Sequence, residues 1–459
     1  MKFKFLLLAV FVIGAGLFVK FQFFKKTNLD TPIQNLELFF TCDVDGRLEP
    51  CGCFSGQMGG LSKIKTMITG LNPINGLIFD VGNSIAGQED FHVIQYKYIL
   101  QAFSSIKYDA VNIGHQEALL PLASLLKIKQ FSKDKSIPIL SANLRSKIDQ
   151  KNIFEPYTII TRGSKKIGVV GITSPNISNG SLDENVSIQE PRLALAAFIT
   201  ELDKKVDAIV VLGFLSTDEM EALADEFYEI DFILGGNVKE SSQQLIKRNQ
   251  SYIYYTTNKS RTLGQINFDM TPEIKIKHQQ IHMAMPNIMD NLEIKKMSDA
   301  YRNEIRVSPL EIDKITGNPD YIPGVKNLNY YVGSESCMAC HESEYTIWSK
   351  TSHAKAFHSL QIKNSDADPT CIKCHTIGLG TESGYQRSFK AEKLINVGCE
   401  NCHGPAGLHV DEFKSRSKRI FKFNQVVAED CTKCHYGEFS RPFNFNGFWE
   451  KIKHGKNKK

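Results

Sequence analysis

Four copies of the motif Cys-x-x-Cys-His lie within residues 337–435. Their cysteines are Cys337 and Cys340, Cys371 and Cys374, Cys399 and Cys402, and Cys431 and Cys434. Their histidines are His341, His375, His403 and His435. Two thiols two residues apart can form thioethers with one porphyrin, and the adjacent imidazole can then ligate its iron. The motifs therefore predict four covalently bound c-type haems, with these histidines as proximal ligands.

A zinc knuckle or a disulfide pair is the alternative for any single Cys-x-x-Cys. Zinc sites do not require a histidine directly after the second cysteine, whereas all four copies have one. The repeated offset therefore favours haem.

Residues 333–459 contain four further histidines, His353, His358, His409 and His454. An iron with imidazole on both faces is coordinatively saturated, so it changes oxidation state without binding a substrate. The eight histidines of this region are enough for two at every iron. Irons with two histidine ligands would indicate an electron carrier.

The sequence around the motifs resembles the tetrahaem cytochromes c typified by the electron carrier of ammonia-oxidising bacteria. The similar stretches are Trp348 to Phe357, Gly378 to Tyr385 and Val397 to His409. The resemblance implies closely stacked haems with mostly two histidine ligands, and distal roles for His353 and His409. His454 fits a third distal ligand. His358 is a weaker candidate that departs from the family pattern, and the haem at His375 is the candidate for a five-coordinate iron.

The first 26 residues have the pattern of an export signal. An unbroken apolar run of fifteen residues, Phe5 to Val19, lies between lysines. It is short for a span of about 20 residues, but Phe21, Phe23 and Phe24 extend it, and no clear cleavage site follows. We expect residues 1–26 to anchor the protein at the periplasmic face of a bacterial inner membrane, or to release it into the periplasm if they are cleaved.

The composition, 42% hydrophobic and 23% charged, is that of a soluble globular protein, and 459 residues suffice for two or three domains. The net charge is +5. Haem propionates would offset it, so the charge does not indicate a nucleic-acid partner. The expected partners are redox proteins that donate and accept electrons.

Short apolar strands alternate with helical segments over residues 33–285. The predicted strands are Leu36 to Thr41, Leu77 to Val81, Ala110 to Ile113, Ile137 to Ala142, Ile167 to Ile172, Ala208 to Leu212, Phe232 to Leu234, Tyr252 to Tyr255 and Leu263 to Met270. Gln95 to Lys107 and Ala194 to Lys204 are predicted helices. This alternation predicts an α/β domain with helices on both faces of its sheet. A charged helix and a linker, residues 286–332, lead to a mainly α-helical haem domain, 333–459.

Motifs in the α/β region resemble, in order and spacing, those of the calcineurin-like metallophosphoesterases of the five-prime nucleotidase branch. They are Thr41 to Gly46, Asp80 to Asn83, Ile113 to Glu117, Leu212 to Leu215 and Leu234 to Asn237. The resemblance implies a four-layer α/β sandwich in which Asp, His and Asn side chains hold two metals for phosphoester hydrolysis.

Most ligands of that family pattern are replaced here. Only Asp43 clearly occupies its expected position. The replacements are Asp45 for a histidine, Asn83 for the bridging aspartate, His115-Gln116 for Asn-His, Phe214 for a histidine, and Gly236-Asn237-Val238-Lys239 for Gly-His-x-His. A phenyl ring and an ammonium group donate no lone pair to a metal. We therefore expect a degenerate metal site.

Three cysteines outside the haem motifs, Cys42, Cys51 and Cys53, belong to the same region. In an oxidising compartment a disulfide between Cys42 and either of the others is one expectation. A soft-metal or redox site that combines these thiols with Asp43 and His115 is the other.

Together these patterns predict a membrane-anchored, extracytoplasmic tetrahaem cytochrome c that transfers electrons, with the α/β domain as a scaffold, docking surface or ligand site. The competing functions are an oxidoreductase that acts on a small nitrogen or sulfur compound or peroxide at an open haem, a metal-dependent phosphoesterase, and a ligand sensor whose haems report redox state.

Overall fold

A computed structural model of the chain describes residues 35–50, 57–257, 259–271, 273–313, 329–388, 391–416, 423, 425–437, 440 and 442–455. The predicted export signal, Cys51 and Cys53 lie outside these residues. Within the described ranges, no helix is long and apolar enough to cross a membrane.

The N-terminal part contains two sheets of six described strands each and one two-stranded sheet. The strands are β1 Asn35–Thr41, β2 Gly76–Asp80, β3 Ala110–Asn112, β4 Ile139–Leu140, β5 Leu144–Ser146, β6 Tyr157–Arg162, β7 Lys165–Thr173, β8 Val186–Ile188, β9 Ala208–Phe214, β10 Phe232–Gly236, β11 Ile246–Arg248, β12 Ser251–Tyr255, β13 Thr262–Met270 and β14 Ile274–Met283. The first sheet has the order β14-β13-β1-β2-β3-β4, the second has the order β11-β12-β10-β9-β7-β6, and β5 pairs with β8.

Each sheet contains a run of four neighbouring parallel strands. In the first sheet these are β1 to β4, and in the second they are β7, β9, β10 and β12. Open parallel sheets bind ligands beyond the carboxyl ends of their strands. A ligand site is therefore expected in the loops that follow β1, β2, β3 and β10.

Helices cover both sheets. They are α1 Leu61–Leu71, α2 Asp90–Ile106, α3 His115–Ala118, α4 Leu122–Asp134, α5 Pro191–Ala196, α6 Ile199–Asp203, α7 Thr217–Glu226 and α8 Leu292–Val307. The predicted helix from Ala194 to Lys204 is in fact two helices, α5 and α6, because Phe198 leaves the helical region at φ −149°, ψ −10°.

Side-chain alternation along the strands produces four layers. In β1, Leu36, Leu38 and Phe40 pack between the two sheets, whereas Phe39 faces the helices of the first sheet. A third apolar cluster joins the second sheet to α5, α6 and α7. The period of two places successive residues on opposite faces of a strand, so a buried sheet needs a core on each side. This is the α/β sandwich that the sequence predicts.

The C-terminal part consists of short helices. They are α9 Glu335–Met338, α10 Glu342–Ser349, α11 Ala356–Ile362, α12 Pro369–His375, α13 Cys399–His403, α14 Gly407–Lys414, α15 Ala428–Thr432 and α16 Phe445–Trp449. Short 3-10 helices occur at Glu311–Asp313, His353–Lys355 and Glu392–Leu394. The apolar cluster of this part has six buried members: Phe357, Leu360, Ile372, Ile377, Tyr385 and Leu394.

Candidate functional site

Four non-glycine residues adopt left-handed backbone conformations just after β1, β2 and β10. They are Asp43 (φ 53°), Asp45 (φ 51°), Asn83 (φ 63°) and Asn237 (φ 61°). Such conformations cost on the order of 1–3 kcal/mol each and cluster at functional sites. Asp43, Asp45 and Asn83 line a cavity of about 680 Å³, together with Lys239, Thr257, Lys259 and Arg261. Residues at three of the predicted metal-ligand positions, Asp43, Asp45 and Asn83, thus line one cavity.

Hydrogen-bond donors occupy both oxygens of the Asp43 carboxyl group. Asn83 Nδ2 donates to Asp43 Oδ1 at 2.9 Å, and Thr257 Oγ1 donates to Asp43 Oδ2 at 2.5 Å. The Gln116 N–H donates to Asn83 Oδ1 at 2.9 Å, which fixes the Asn83 amide with its NH₂ group toward Asp43. Burial raises the pKa of Asp43. Asn83 therefore presents a donor to Asp43 where an aspartate would present a metal ligand.

His115 and Cys42 are held by other partners. His115 Nε2 donates to the Ser174 carbonyl at 3.0 Å, and its ring lies edge-on to Phe214 with centroids 5.0 Å apart. The buried Cys42 thiol donates to the Gly82 carbonyl at 3.6 Å, and burial raises its pKa. Glycine is required at position 236, since a Cβ there would lie 2.1 Å from Cys42 Sγ.

The described residues contain no group of three His, Cys, Asp or Glu side chains that could hold a metal ion. Cys51 and Cys53 lie outside the described residues. The disulfide with Cys42 and the soft-metal site therefore both stay predictions.

Two buried acids beneath the cavity had no role assigned from the sequence. The donors to Glu117 are the N–H groups of Asn83, Ser84, Ile85 and Gly114, at 2.6 to 3.1 Å. The donors to Asp80 are Thr41 Oγ1, Gly82 N–H and Ser84 Oγ, at 2.6 to 3.0 Å. Burial raises the pKa of Asp80 to about 8. These acids fix the loop after β2. The role of Glu117 could have been suspected from the sequence, because this residue follows His115 and Gln116 in the same motif.

Three pairs of histidine rings are close neighbours in the C-terminal part. The pairs and their centroid separations are His341 and His409 at 6.3 Å, His353 and His435 at 6.0 Å, and His403 and His454 at 6.0 Å. A metal–nitrogen bond of about 2 Å on each side would place two axial imidazole centroids about 6 Å apart. The centroid separation of each pair therefore fits two ligands of one haem iron.

Hydrogen bonds orient two of these histidines for iron ligation. His375 Nδ1 donates to the Ala356 carbonyl at 2.7 Å, and His454 Nδ1 donates to the Ile452 carbonyl at 2.9 Å, so Nε2 is the nitrogen left for a metal in both rings. Burial lowers the pKa of His353, His375, His403 and His435, which favours the neutral ring.

His375 differs from the other three motif histidines. None of the described histidine rings pairs with it at such a distance, and His358 is exposed on α11. The structure thus brings His353, His409 and His454 opposite motif histidines, and it places His358 apart from them.

Contacts between the motifs bring them into one compact region. The thiols of Cys337 and Cys399 lie near each other, as do those of Cys374 and Cys434. Buried Glu400, inside the third motif, accepts hydrogen bonds from the N–H groups of Val332, Gly333 and Ala406 at 2.8 to 3.2 Å. Nothing in the sequence singled out this residue, because its partners Val332 and Gly333 are distant in the chain.

Two groups of known proteins are similar to the chain. Residues 336–404 match the family model described as Cytochrome c554 and c-prime. Cytochrome c-554 of Nitrosomonas europaea is 33% identical over an alignment of 90 residues, and the match covers 16% of this chain and 38% of that protein.

Snake venom 5'-nucleotidase of Crotalus adamanteus is 30% identical over 218 residues, which cover 44% of this chain and 36% of that protein. The solved 5'-nucleotidase precursor from Thermus thermophilus superposes with a TM-score of 0.51 at 22% identity and covers 59% of each chain, which shows the fold. The chain spans little more than a third of the length of the curated relatives it matches. The chain thus joins an N-terminal part similar to 5'-nucleotidases to a C-terminal part in which residues 336–404 match the cytochrome c554 and c-prime model.

Proposed function

We propose that this protein is an extracytoplasmic tetrahaem c-type cytochrome that passes electrons between redox partner proteins. The observation that carries the proposal is the set of three facing histidine pairs beside Cys-x-x-Cys-His motifs. Bound haem supplies a reversible one-electron centre. The eight motif cysteines would attach four such groups, and each histidine pair would hold the iron of one of them.

The chain's own residues favour transfer over catalysis at three of these positions. The two imidazoles of each pair would hold one iron between them and would leave no open position on it for a substrate. The thiol contacts of Cys337 with Cys399 and of Cys374 with Cys434 bring the attachment points close together. Electrons would therefore cross this part over short distances.

Electron paramagnetic resonance of the oxidised holoprotein, with carbon monoxide added to the reduced form, tests the proposal. We expect three low-spin haems and one high-spin haem that binds carbon monoxide. His409→Ala should convert one further haem to the high-spin form, because His341 loses its opposite imidazole. His358→Ala is the matched control and should change neither signal. Unchanged spectra in His409→Ala would contradict the assigned pairing.

The location and the partners are part of the same proposal. Residues 1–26 have an export pattern, and c-type haem attachment follows translocation, so we place the protein on the periplasmic side, anchored or released. Fractionation of the producing cell, with haem staining of the membrane and periplasmic fractions, checks this. Haem-bearing protein confined to the cytoplasm would contradict it.

A second candidate function is oxidoreductase chemistry at the haem attached by Cys371 and Cys374. It is favoured by the absence of a facing ring for His375 among the described histidines. Its substrate would be a small nitrogen or sulfur compound or a peroxide. If the high-spin haem turns over such a compound and Cys371→Ser/Cys374→Ser abolishes that turnover, the enzyme function gains support over a simple relay.

Hydrolysis is the third candidate, because the relatives of the N-terminal part are named 5'-nucleotidases. The donors that occupy both oxygens of Asp43 disfavour it. We expect no phosphate release from a nucleoside monophosphate in the presence of Mn²⁺. Release that Asp43→Ala abolishes would restore the hydrolase. Otherwise the α/β part serves as a scaffold or ligand site.

A further inference from the structure

Helix α8 belongs to the α/β core. It also contacts the predicted haem domain, residues 333–459, which is called the haem part below. Ile294, Tyr301 and Ile305 are buried in the cluster that joins the first sheet to its helices. Tyr301 and Arg306 of the same helix also form hydrogen bonds with residues 364–368, which directly precede α12. α12 contains the second motif, from Cys371 to His375. The α/β part therefore touches the haem part next to one particular motif.

Two arginines cross this junction in opposite directions. Arg306 Nη2 of α8 donates to Asn364 O at 3.3 Å, to Asn364 Oδ1 at 2.6 Å and to Asp366 Oδ1 at 2.7 Å. Arg387 of the haem part donates to the Ile305 carbonyl and to Asp313 Oδ2. The Arg387 side chain is only 6% exposed. A planar guanidinium that binds several acceptors fixes orientation as well as distance.

Tyr301 covers the residue that begins the second haem helix. Its ring is 3% exposed, and its hydroxyl lies 3.4 Å from Asp368 Oδ2. Asp368 is itself 9% exposed and caps α12 by accepting from the Thr370 N–H at 2.9 Å. A cap fixes where a helix starts. The position of α12 is therefore set in part by a side chain of the α/β core.

We infer that α8 positions the second haem-attachment helix, with Arg306 and Tyr301 as positioning residues, so that the haem held by Cys371, Cys374 and His375 depends on the α/β part. The inference rests on the proposed haem attachment. It gives the α/β domain a role that needs no hydrolysis, because α8 of this domain contacts the residues directly before the second haem-attachment helix.

The test is a potentiometric titration of the full-length holoprotein, followed by electron paramagnetic resonance. The Cys371→Ser/Cys374→Ser variant identifies the signal of the second haem. Arg306→Gln should change that signal and shift the ratio of oxidised to reduced second haem at a fixed ambient potential by about three- to tenfold. The other three haems should be unaffected, and Arg306→Lys, which keeps the charge but not the planar fork, should restore only part of the shift.

Tyr301→Phe removes one hydroxyl and should shift the ratio of oxidised to reduced second haem in the same measurement. This variant tests the inference even if Arg306→Gln fails to fold. The matched controls are Arg248→Gln, which breaks an exposed pair with Asp225, and Tyr330→Phe, which removes a hydroxyl from Asp411. An unchanged second haem in both junction variants, or an equal shift of all four haems, would overturn the inference. A wild-type peptide with unmodified Cys371 and Cys374 would overturn the proposed function and the inference with it.

Discussion

The amide at position 83 changes what the neighbouring carboxyl group can bind. Asp43 accepts from Asn83 Nδ2 and Thr257 Oγ1, and the backbone of Gln116 holds the amide in that orientation. A divalent metal would have to displace both donors from a largely buried acid. In the described structure, hydrogen bonds therefore occupy both oxygens that a metal would need.

Asn83→Asp should therefore lower the free energy of unfolding of the α/β part by on the order of 1–3 kcal/mol at pH 7. Asp43 would lose a donor and face a second carboxylate, and like charges at this distance raise the pKa values of both acids. The loss should shrink at pH 5, where one of the two is protonated. Hydrogen exchange of β1 and β2 at both pH values measures it.

Asn75→Asp, near the surface, is the control for that substitution. Equal stability of the wild type and Asn83→Asp at pH 7 would contradict the hydrogen-bonded description of Asp43. A rise in the stability of Asn83→Asp on adding Mn²⁺ would show that the cavity still accepts a metal.

Asp80 makes the α/β part sensitive to pH. Burial raises its pKa to about 8, well above that of an exposed aspartate, so the folded state retains a proton that the unfolded chain releases. The contribution of protonated Asp80 to the free energy of unfolding is complete below about pH 4. It is lost as the pH rises to about 8, by at most about 1.4 kcal/mol per pH unit. Hydrogen exchange of β2 between pH 5 and 8 should show this decline. Asp80→Asn should remove it, and an equal slope in that variant would assign the decline to another group.

At the scale of single elements, the haem part depends on caps and buried acids more than on long helices. Helix α13 has five residues and carries the third motif. Asn401 Oδ1 accepts from the Gly398 N–H at 2.8 Å, and Glu400 binds the N–H groups of Val332, Gly333 and Ala406. Isolated helices this short are unstable in water. Contacts with distant segments must therefore hold α13 in place.

Glu400→Ala should destabilise the haem part by several kcal/mol, since each buried N–H left without an acceptor costs about 1–3 kcal/mol. Chemical denaturation monitored by haem absorbance measures the change. Glu382→Ala, at an exposed position, should leave the midpoint unchanged. A Glu400→Ala midpoint equal to that of the wild type would show that water satisfies these groups.

At the scale of the whole molecule, α8 joins two parts whose relatives are separate groups of proteins. Its apolar side packs into the α/β core, and its polar side chains bind the loop before the second motif. One helix therefore serves both parts. The charged pattern of this helix predicts its existence but not its partners, because Asn364, Asp366 and Arg387 are remote in sequence.

The local chemistry could be predicted from the order of residues alone. Thiols and an imidazole at fixed spacing define a haem-attachment motif without any tertiary information, and alternating apolar strands and helices define an α/β sandwich through the periods of two and 3.6 residues. The replacements at Asp45, Asn83, Phe214 and Asn237 were equally visible. These features depend on neighbours in the chain.

Which groups meet in space depends on the folded chain. The fold brings His409 opposite His341, His353 opposite His435 and His454 opposite His403, and it leaves His375 without such a ring among the described residues. It also places Asn83 and Thr257 on the oxygens of Asp43. The physical reason is that hydrogen bonds and metal ligation act over a few ångströms in space. In the cavity, Asp43 is 40 residues from Asn83 and 214 residues from Thr257 along the chain.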